Sequence, residues 1–307
     1  MTEAPDGPGF VTQRGSFRAA HVAEQNVERQ AFILDEMAGR PAVRTLKSWA
    51  LDQLEPAVGE TAVDVGSGTG EDVIALAASG AHAIGVEPSP GLRAEAARRA
   101  EAARRAEAVR RAESVRRAAD VEYVDGQAEA LPFDDESVDV LRCERVLQHV
   151  DDPAAVVKEM ARVLRPGGRI ALIDTDWGTA LVHPADPGVL QRMVDYFIRE
   201  SANPYSGRQL RGLLAGAGLE ITGETAATMI EPQEGARQSF VGMMHLTSLQ
   251  AGVITEAEAE EFARTLGEAA DRGAFHLSLT MYAVSAVKPR AAVKPRAAVK
   301  PRAAGGS

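Results

Sequence analysis

The stretch VDVGSGTG, Val63 to Gly70, sets three glycines at every second position behind an apolar run that holds one acid. EDVIALAASG (71–80) follows with helix-forming residues and a glycine stop, so the glycines sit in a turn from strand to helix. Such a turn offers backbone amides at the carboxyl edge of a parallel sheet, where α/β proteins hold their ligands. The plainer alternative is a tight turn that binds nothing, and the rest of the chain decides between them.

Working outward, strands and helices alternate. TAVDVG (61–66), AHAIGVE (81–87), VEYV (121–124), SVDVLRCE (137–144) and RIALIDTD (169–176) read as short apolar strands. Between them lie the helix at 71–80, an Arg-rich helix from Arg93, and DPAAVVKEMARVL (152–164), opened by Asp-Pro and closed by RPGG. Beyond Asp176 the spacing predicts helices near 187–201, 206–216, 233–251 and 255–271, a β-like stretch at 219–229 and a last strand at 275–287. This rhythm predicts a Rossmann-like α/β fold, a mostly parallel seven-stranded sheet with helices on both faces. Residues 1–57 are expected as an N-terminal helical lid and 58–287 as the main domain. Within it, 177–217 is expected to cover the substrate, and 288–307 follow as a tail.

Charge and composition narrow the class. The net charge is −10, but residues 93–117 carry nine Arg against four Glu and the tail from Val287 carries three Lys and three Arg, so the remainder stands at −21. A body that acidic is a poor surface for phosphate-dominated binding, which argues against a specific nucleic-acid partner. No run approaches the ~20 apolar residues of a membrane helix, and the first residues, MTEAPDGPGF, do not read as a secretion signal. The single cysteine, Cys143, excludes an internal disulfide and any multi-cysteine metal site. A cytoplasmic protein is the simplest expectation, and a homo-oligomer is compatible with it.

Two repeats stand apart from the chemistry. Four hexads of the form RAEAAR run from Arg93, placing Arg three and four residues after Glu95 and Glu101. That spacing supports an exposed helix over 93–119 by a few tenths of a kcal/mol per pair. A period of six does not match 3.6, so no single face of such a helix stays apolar. AAVKPR repeats in the tail, where a Pro every six residues predicts a disordered basic segment.

The spacing of the turn bears on its ligand. In the nicotinamide fingerprint GxGxxG/A a third small residue follows at a position that here holds Glu71, a carboxylate facing the place of a pyrophosphate. A ligand with a positive group and no phosphates suits the acid Asp64 and the turn better. VDVGSGTG, the acid Glu87 that ends the second strand in GVEPSP, the run VDGQAEALPFDDESVDV, then ERVLQHVDDP and RVLRPGGRIALID follow in the order found in the class I S-adenosylmethionine-dependent methyltransferases, which the chain resembles from Thr61 to about Asp176. The likeness leans to small-molecule enzymes of quinone, sterol and natural-product type. The resemblance implies S-adenosyl-L-methionine as cofactor, held by Asp64, Gly66, Ser67, Gly68 and Gly70, by Glu87 and Pro88 at the ribose, by Gln127 and Ala128 at the adenine, and by Glu144 at the end of the fourth strand. One departure is Gln127, which stands where the family commonly has Asp, although an amide oxygen accepts the same hydrogen bond. The other is a longer gap between Glu87 and Gln127, placed by the hexads on the following helix.

Methyl transfer needs positioning first and a base only where the acceptor carries a proton, so candidates are read from the mouth. His149 after the fourth strand and Asp176 at the end of the fifth are the candidate catalytic groups. Trp177, His183 in an expected loop, Tyr205 and Arg208 are the candidate substrate contacts. His245 and His276 read as core. The triplet Asn203-Pro204-Tyr205 lacks the second Pro of amino-methylating DNA enzymes and follows the fifth strand instead of the fourth, which argues against DNA. No complementary set of metal ligands is evident. The expected function is methyl transfer to a small, partly apolar acceptor. The alternatives are a nicotinamide-dependent oxidoreductase and a non-catalytic docking module of the same fold.

Overall fold

The computed structural model describes residues 27–110, 121–237 and 240–290. The expected lid before Val27, the hexad helix beyond Arg110 and the tail beyond Arg290 lie outside them. In chain order the elements are α1 (Val27–Ala38), α2 (Pro41–Leu54), β1 (Thr61–Val65), α3 (Glu71–Ala78), β2 (His82–Val86), α4 (Pro90–Arg110), β3 (Val121–Val124) and β4 (Val138–Glu144). They continue with a 3-10 turn (Leu147–His149), α5 (Pro153–Val163), β5 (Leu164–His183), α6 (Pro187–Glu200), α7 (Ser206–Gly216), β6 (Glu220–Ile230), a 3-10 turn (Gln233–Arg237), α8 (Phe240–Gln250), α9 (Glu256–Asp271) and β7 (His276–Val287).

One seven-stranded sheet takes the order β3-β2-β1-β4-β5-β7-β6. The β1–β2, β1–β4, β2–β3 and β4–β5 pairs are parallel, and β7 runs antiparallel to β5 and β6. Strand order reverses between β1 and β4, the switch point outside which α/β sheets bind ligands. Alternate residues of the strands feed two cores. Val63, Val65, Leu141, Cys143 and Leu172 meet α5 and α7, whereas Ala62, Val140, Ala171 and Ile173 meet α2 and α3.

Three departures from the expected elements have physical causes. The fifth strand runs to His183 because the chain keeps pairing with β7 as far as His183↔His276, across an irregularity between Asp176 and Leu181. His183 is therefore an exposed strand residue and not part of a loop, and His276 opposite it is exposed, bonded to Ser278 instead of packed in a core. The expected helix at 233–251 divides into a 3-10 turn and α8. The ordered body also includes Lys288, whose ammonium donates to the carbonyls of Ala161 and Leu164 at the end of α5, a cation at a helix C-terminus.

Beyond Asp176, α6, α8, α9 and the start of β7 form a third core, in which Val189, Met193, Met244, Phe262, Leu266 and Leu277 are buried together. His245 belongs to it, stacked on Phe262 at 5.9 Å between ring centres. On α4, Leu92, Ala96 and Ala100 are buried at a four-residue spacing. Its outer face carries the expected pairs, Glu95 with Arg98 and Arg99 and Glu101 with Arg105, while Arg104 turns to the carbonyl of Val121. No helix among the described residues is long and apolar enough to cross a membrane.

Candidate active site at the strand ends

The glycine turn is left-handed at all three glycines, with φ of +74° at Gly66, +51° at Gly68 and +79° at Gly70. That conformation is open to glycine and costly for side chains. Space is short as well. A methyl on Gly66 would lie 2.4 Å from Val146 Cγ2, and one on Gly70 2.3 Å from the Tyr123 hydroxyl. The amides of Gly66 and Ser67 both donate to the Val86 carbonyl, which fixes the turn against the end of β2.

Glu87 sits directly behind this turn and is 5% exposed. Its Oε2 accepts the Gly68 amide at 3.0 Å and its Oε1 the Ser89 amide at 2.9 Å. Burial pushes the carboxyl up, and these two amides pull it part of the way back. Each oxygen keeps a further acceptor direction, which suits a pair of ribose hydroxyls. Pro88 is half-buried between Glu87 and Ser89, Ala128 is buried, and Gln127 is exposed with its carbonyl accepting the Ala130 amide. Ser67 turns its hydroxyl inward, so that a methyl on Gly85 would lie 2.6 Å from its Oγ.

Asp64 and Glu144 are placed differently from a simple ligand contact. Both carboxylates are engaged by Arg142, a buried cation on β4 that also reaches Asp72 of α3. Arg145 takes the other oxygen of Glu144, and Lys47 of α2 pairs with Glu71 and Asp72. Burial raises both carboxyls in isolation. At Glu144, Arg142, Arg145 and Lys47 together overcome it and hold the group well below the usual carboxylate range. At Asp64 only Arg142 opposes burial, while Asp72 and Glu144 add to it, so that carboxyl stays raised. Lys47 and Arg142 were not singled out by the sequence reading, because a cation within an apolar strand and one on a preceding helix carry no motif.

The stretch of β5 from Asp174 to Trp177, where its pairing becomes irregular, supplies a second wall. Asp174 and Asp176, two residues apart, share one face of the strand. Asp174 is 1% exposed and accepts the amides of Thr175 and Gln148. Burial pushes it up to about 7. Asp176, fully buried, holds both Nε and Nη2 of Arg208 and accepts the Gly178 amide. Arg208 lies over the Tyr205 ring, 4.8 Å from its centre. Trp177 donates its indole N–H to Gln148 Oε1 at 2.9 Å and meets Phe197 edge-on at 5.0 Å. Asn203 bonds the carbonyls of Leu147 and Gln148, so the segment Asn203–Arg208 is latched to the turn after β4. His149, half-buried, closes that turn.

Asp176, Trp177, Tyr205 and Arg208 thus come together, with His149 in the turn that Gln148 ties to them. His183 does not join them, being at the distal end of β5. Gln148 is the organising residue absent from the sequence reading, since its role depends on two backbone and two side-chain bonds. No group of three or more candidate metal-binding side chains is found among the described residues.

Comparison with known proteins agrees with this geometry. The family described as Methyltransferase domain matches residues 63–172. An uncharacterised 37.1 kDa protein of transposon TN4556 from Streptomyces fradiae is 31% identical over 277 residues, 87% of this chain and 74% of that protein. The demethylmenaquinone methyltransferase of Clavibacter sepedonicus is 36% identical over 119 residues, 39% of this chain, which spans only 42% of that relative. Among solved structures, the YcgJ protein of Bacillus subtilis superposes with a TM-score of 0.53 at 19% identity, covering 80% of this chain and 99% of its own, a likeness of fold. Sheet, glycine turn and ribose acid fit an adenosyl sulfonium, and the nicotinamide alternative is not favoured. The chain belongs to the class I S-adenosylmethionine-dependent methyltransferases.

Proposed function

We propose that the acceptor is a small, partly apolar molecule, enclosed between α1, the segment 177–217 and the helical cluster of α6, α8 and α9. The observation that carries this reading is the wall in the middle of β5, where the Trp177 indole is fixed by Gln148 and Phe197 beside the Asp176–Arg208 pair. Such a wall suits a ring or branched chain with one polar end. On the other side, Leu34 of α1 stands 3.0 Å from where a methyl on Gly68 would be, so this helix lies over the turn. The Clavibacter relative acts, by its name, on demethylmenaquinone, an acceptor of this character.

S-adenosylmethionine supplies an electrophilic methyl group when bound. The chain's own part is to hold and orient. The closely approachable backbone of the glycine turn and the Glu87 carboxylate fix the adenosyl end, and Trp177 with Phe197 excludes water from the acceptor. Asp176, committed to Arg208, sets the polar end of the pocket. His149 takes the proton where the acceptor nucleophile carries one. The test is calorimetric binding of S-adenosylhomocysteine to the native chain and to Glu87→Ala, followed by methyl transfer to a panel of phenolic, quinol and isoprenoid acceptors. Loss of binding in Glu87→Ala and turnover confined to partly apolar acceptors is the expected result. Unchanged binding, or turnover only on strongly polar acceptors, overturns it.

A further inference from the structure

The charged cluster below the glycine turn is not needed for any step above. Asp64, Arg142 and Glu144 are 2%, 4% and 9% exposed, and such networks are poor sources of stability, because desolvation of the ions offsets most of their attraction. Their position gives them another use. Asp64 precedes Gly66 by two residues and Asp72 follows Gly70 by two, so these acids bracket the turn. One nitrogen of Arg142, Nη1, lies 3.0 Å from Asp64 and 3.1 Å from Asp72. The other terminal nitrogen holds Glu144, next to Arg145, a non-glycine residue with φ of +56° that begins the turn leading to Val146 against Gly66. A single guanidinium therefore closes both ends of the five-residue turn and fastens it to β4.

The geometry points to Arg142 as a positioning residue for S-adenosylmethionine, a clasp that preorganises the glycine turn and, with its acids, sets the charge beneath the sulfonium. Preorganisation raises affinity by removing the ordering cost from the binding step. Guanidinium geometry matters here, because a planar fork spans several carboxylates at once and an ammonium does not. The charge follows from the members. Asp64, Glu71, Asp72 and Glu144 face Lys47, Arg142 and Arg145, four acids against three cations when all are ionised. The excess favours S-adenosylmethionine, cationic at sulfur, over S-adenosylhomocysteine, which is neutral there.

The test measures the affinity of both compounds by calorimetry on the full chain at pH 8.5, where the raised Asp64 carboxyl is ionised, with thermal melts to establish folding. Arg142→Lys keeps the charge but loses the fork, and it is expected to weaken both ligands about tenfold with their ratio unchanged. Asp72→Asn, on a partly exposed group, opens one end of the clasp and removes one of its charges, and is expected to weaken S-adenosylhomocysteine about threefold and S-adenosylmethionine more, while folding normally. Asp64→Asn removes one negative charge, and it is expected to lower the preference for S-adenosylmethionine over the product by threefold or more. A merely structural role would lower melting temperature and leave the ratio untouched. Native affinity in both Arg142→Lys and Asp72→Asn, losses that track the unfolded fraction alone, or an unchanged ratio in Asp64→Asn overturns the assignment.

Discussion

Asp174 offers a perturbation whose sign should change with pH. Its carboxyl is buried against the Gln148 and Thr175 amides, and burial raises it from 3.8 to about 7. The folded chain therefore keeps this proton between about pH 4 and 7, where the unfolded chain has released it. Stability from this group is full below pH 4, falls as pH rises through 7, and is flat above. A shift of about three units at ~1.4 kcal/mol each makes the loss about 4 kcal/mol. Asp174→Asn cannot titrate, but its amide has one acceptor oxygen for two backbone donors, a cost of ~1–2 kcal/mol. The variant should thus be less stable than the native chain by at most ~1 kcal/mol at pH 4.5, where the native chain has already lost ~1 kcal/mol of this contribution, and more stable by about 2–3 kcal/mol at pH 8. Urea unfolding monitored by circular dichroism at half-unit pH steps reads both limbs. A stability difference that stays constant from pH 4.5 to 8 would refute the reasoning, because it would mean that Asp174 is ionised in the fold throughout.

Other substitutions test the remaining walls. Gly70→Ala forces a side chain into the left-handed region and against the Tyr123 hydroxyl, so it should cost ~1–2 kcal/mol in denaturant unfolding and weaken S-adenosylhomocysteine measurably by calorimetry. Arg208→Ala strands a buried carboxylate and should destabilise by ~1–3 kcal/mol, whereas in Asp176→Asn/Arg208→Ala the two losses should sum to less than the singles, which a double-mutant cycle measures. His149→Gln should lower kcat about a hundredfold on a protonated acceptor with little change in cofactor affinity. Lys288→Ala uncovers the last carbonyls of α5 and should cost ~0.5–1 kcal/mol, visible as a lower melting temperature.

Legibility followed the range of the interactions. The glycine turn, Glu87 and the strand–helix rhythm are local patterns, and the structure places them together at the switch point of the sheet. The length of β5 was not legible, because residues 177–183 stay extended only through pairing with β7 a hundred residues later. For the same reason His183 read as a pocket residue and His276 as a core one. Arg142 shows a different limit. In sequence it looks like an intrusion in an apolar strand, and its meaning appears only when register sets it opposite Asp64 and packing brings Asp72 above it.

Glu71 shows how a local inference can reach the right ligand by an incomplete route. Taken as a bare carboxylate, it argues against a pyrophosphate by repulsion. In the fold it is ion-paired with Lys47 at 2.8 Å, and Asp72 beside it is shared between Lys47 and Arg142. The exclusion therefore does not rest on one unpaired charge. A helix N-terminus attracts anions because its first amides and its dipole present positive charge. At α3 the first turn already carries two carboxylates of the chain, so that positive end is answered from within. A phosphate would have to enter a place whose field is already balanced and slightly negative. A ligand held by close contact with the neutral glycine backbone, by an acceptor at Glu87 and by its own positive charge meets no such opposition, and this balance of charge selects the adenosyl sulfonium more strongly than the spacing of the glycines.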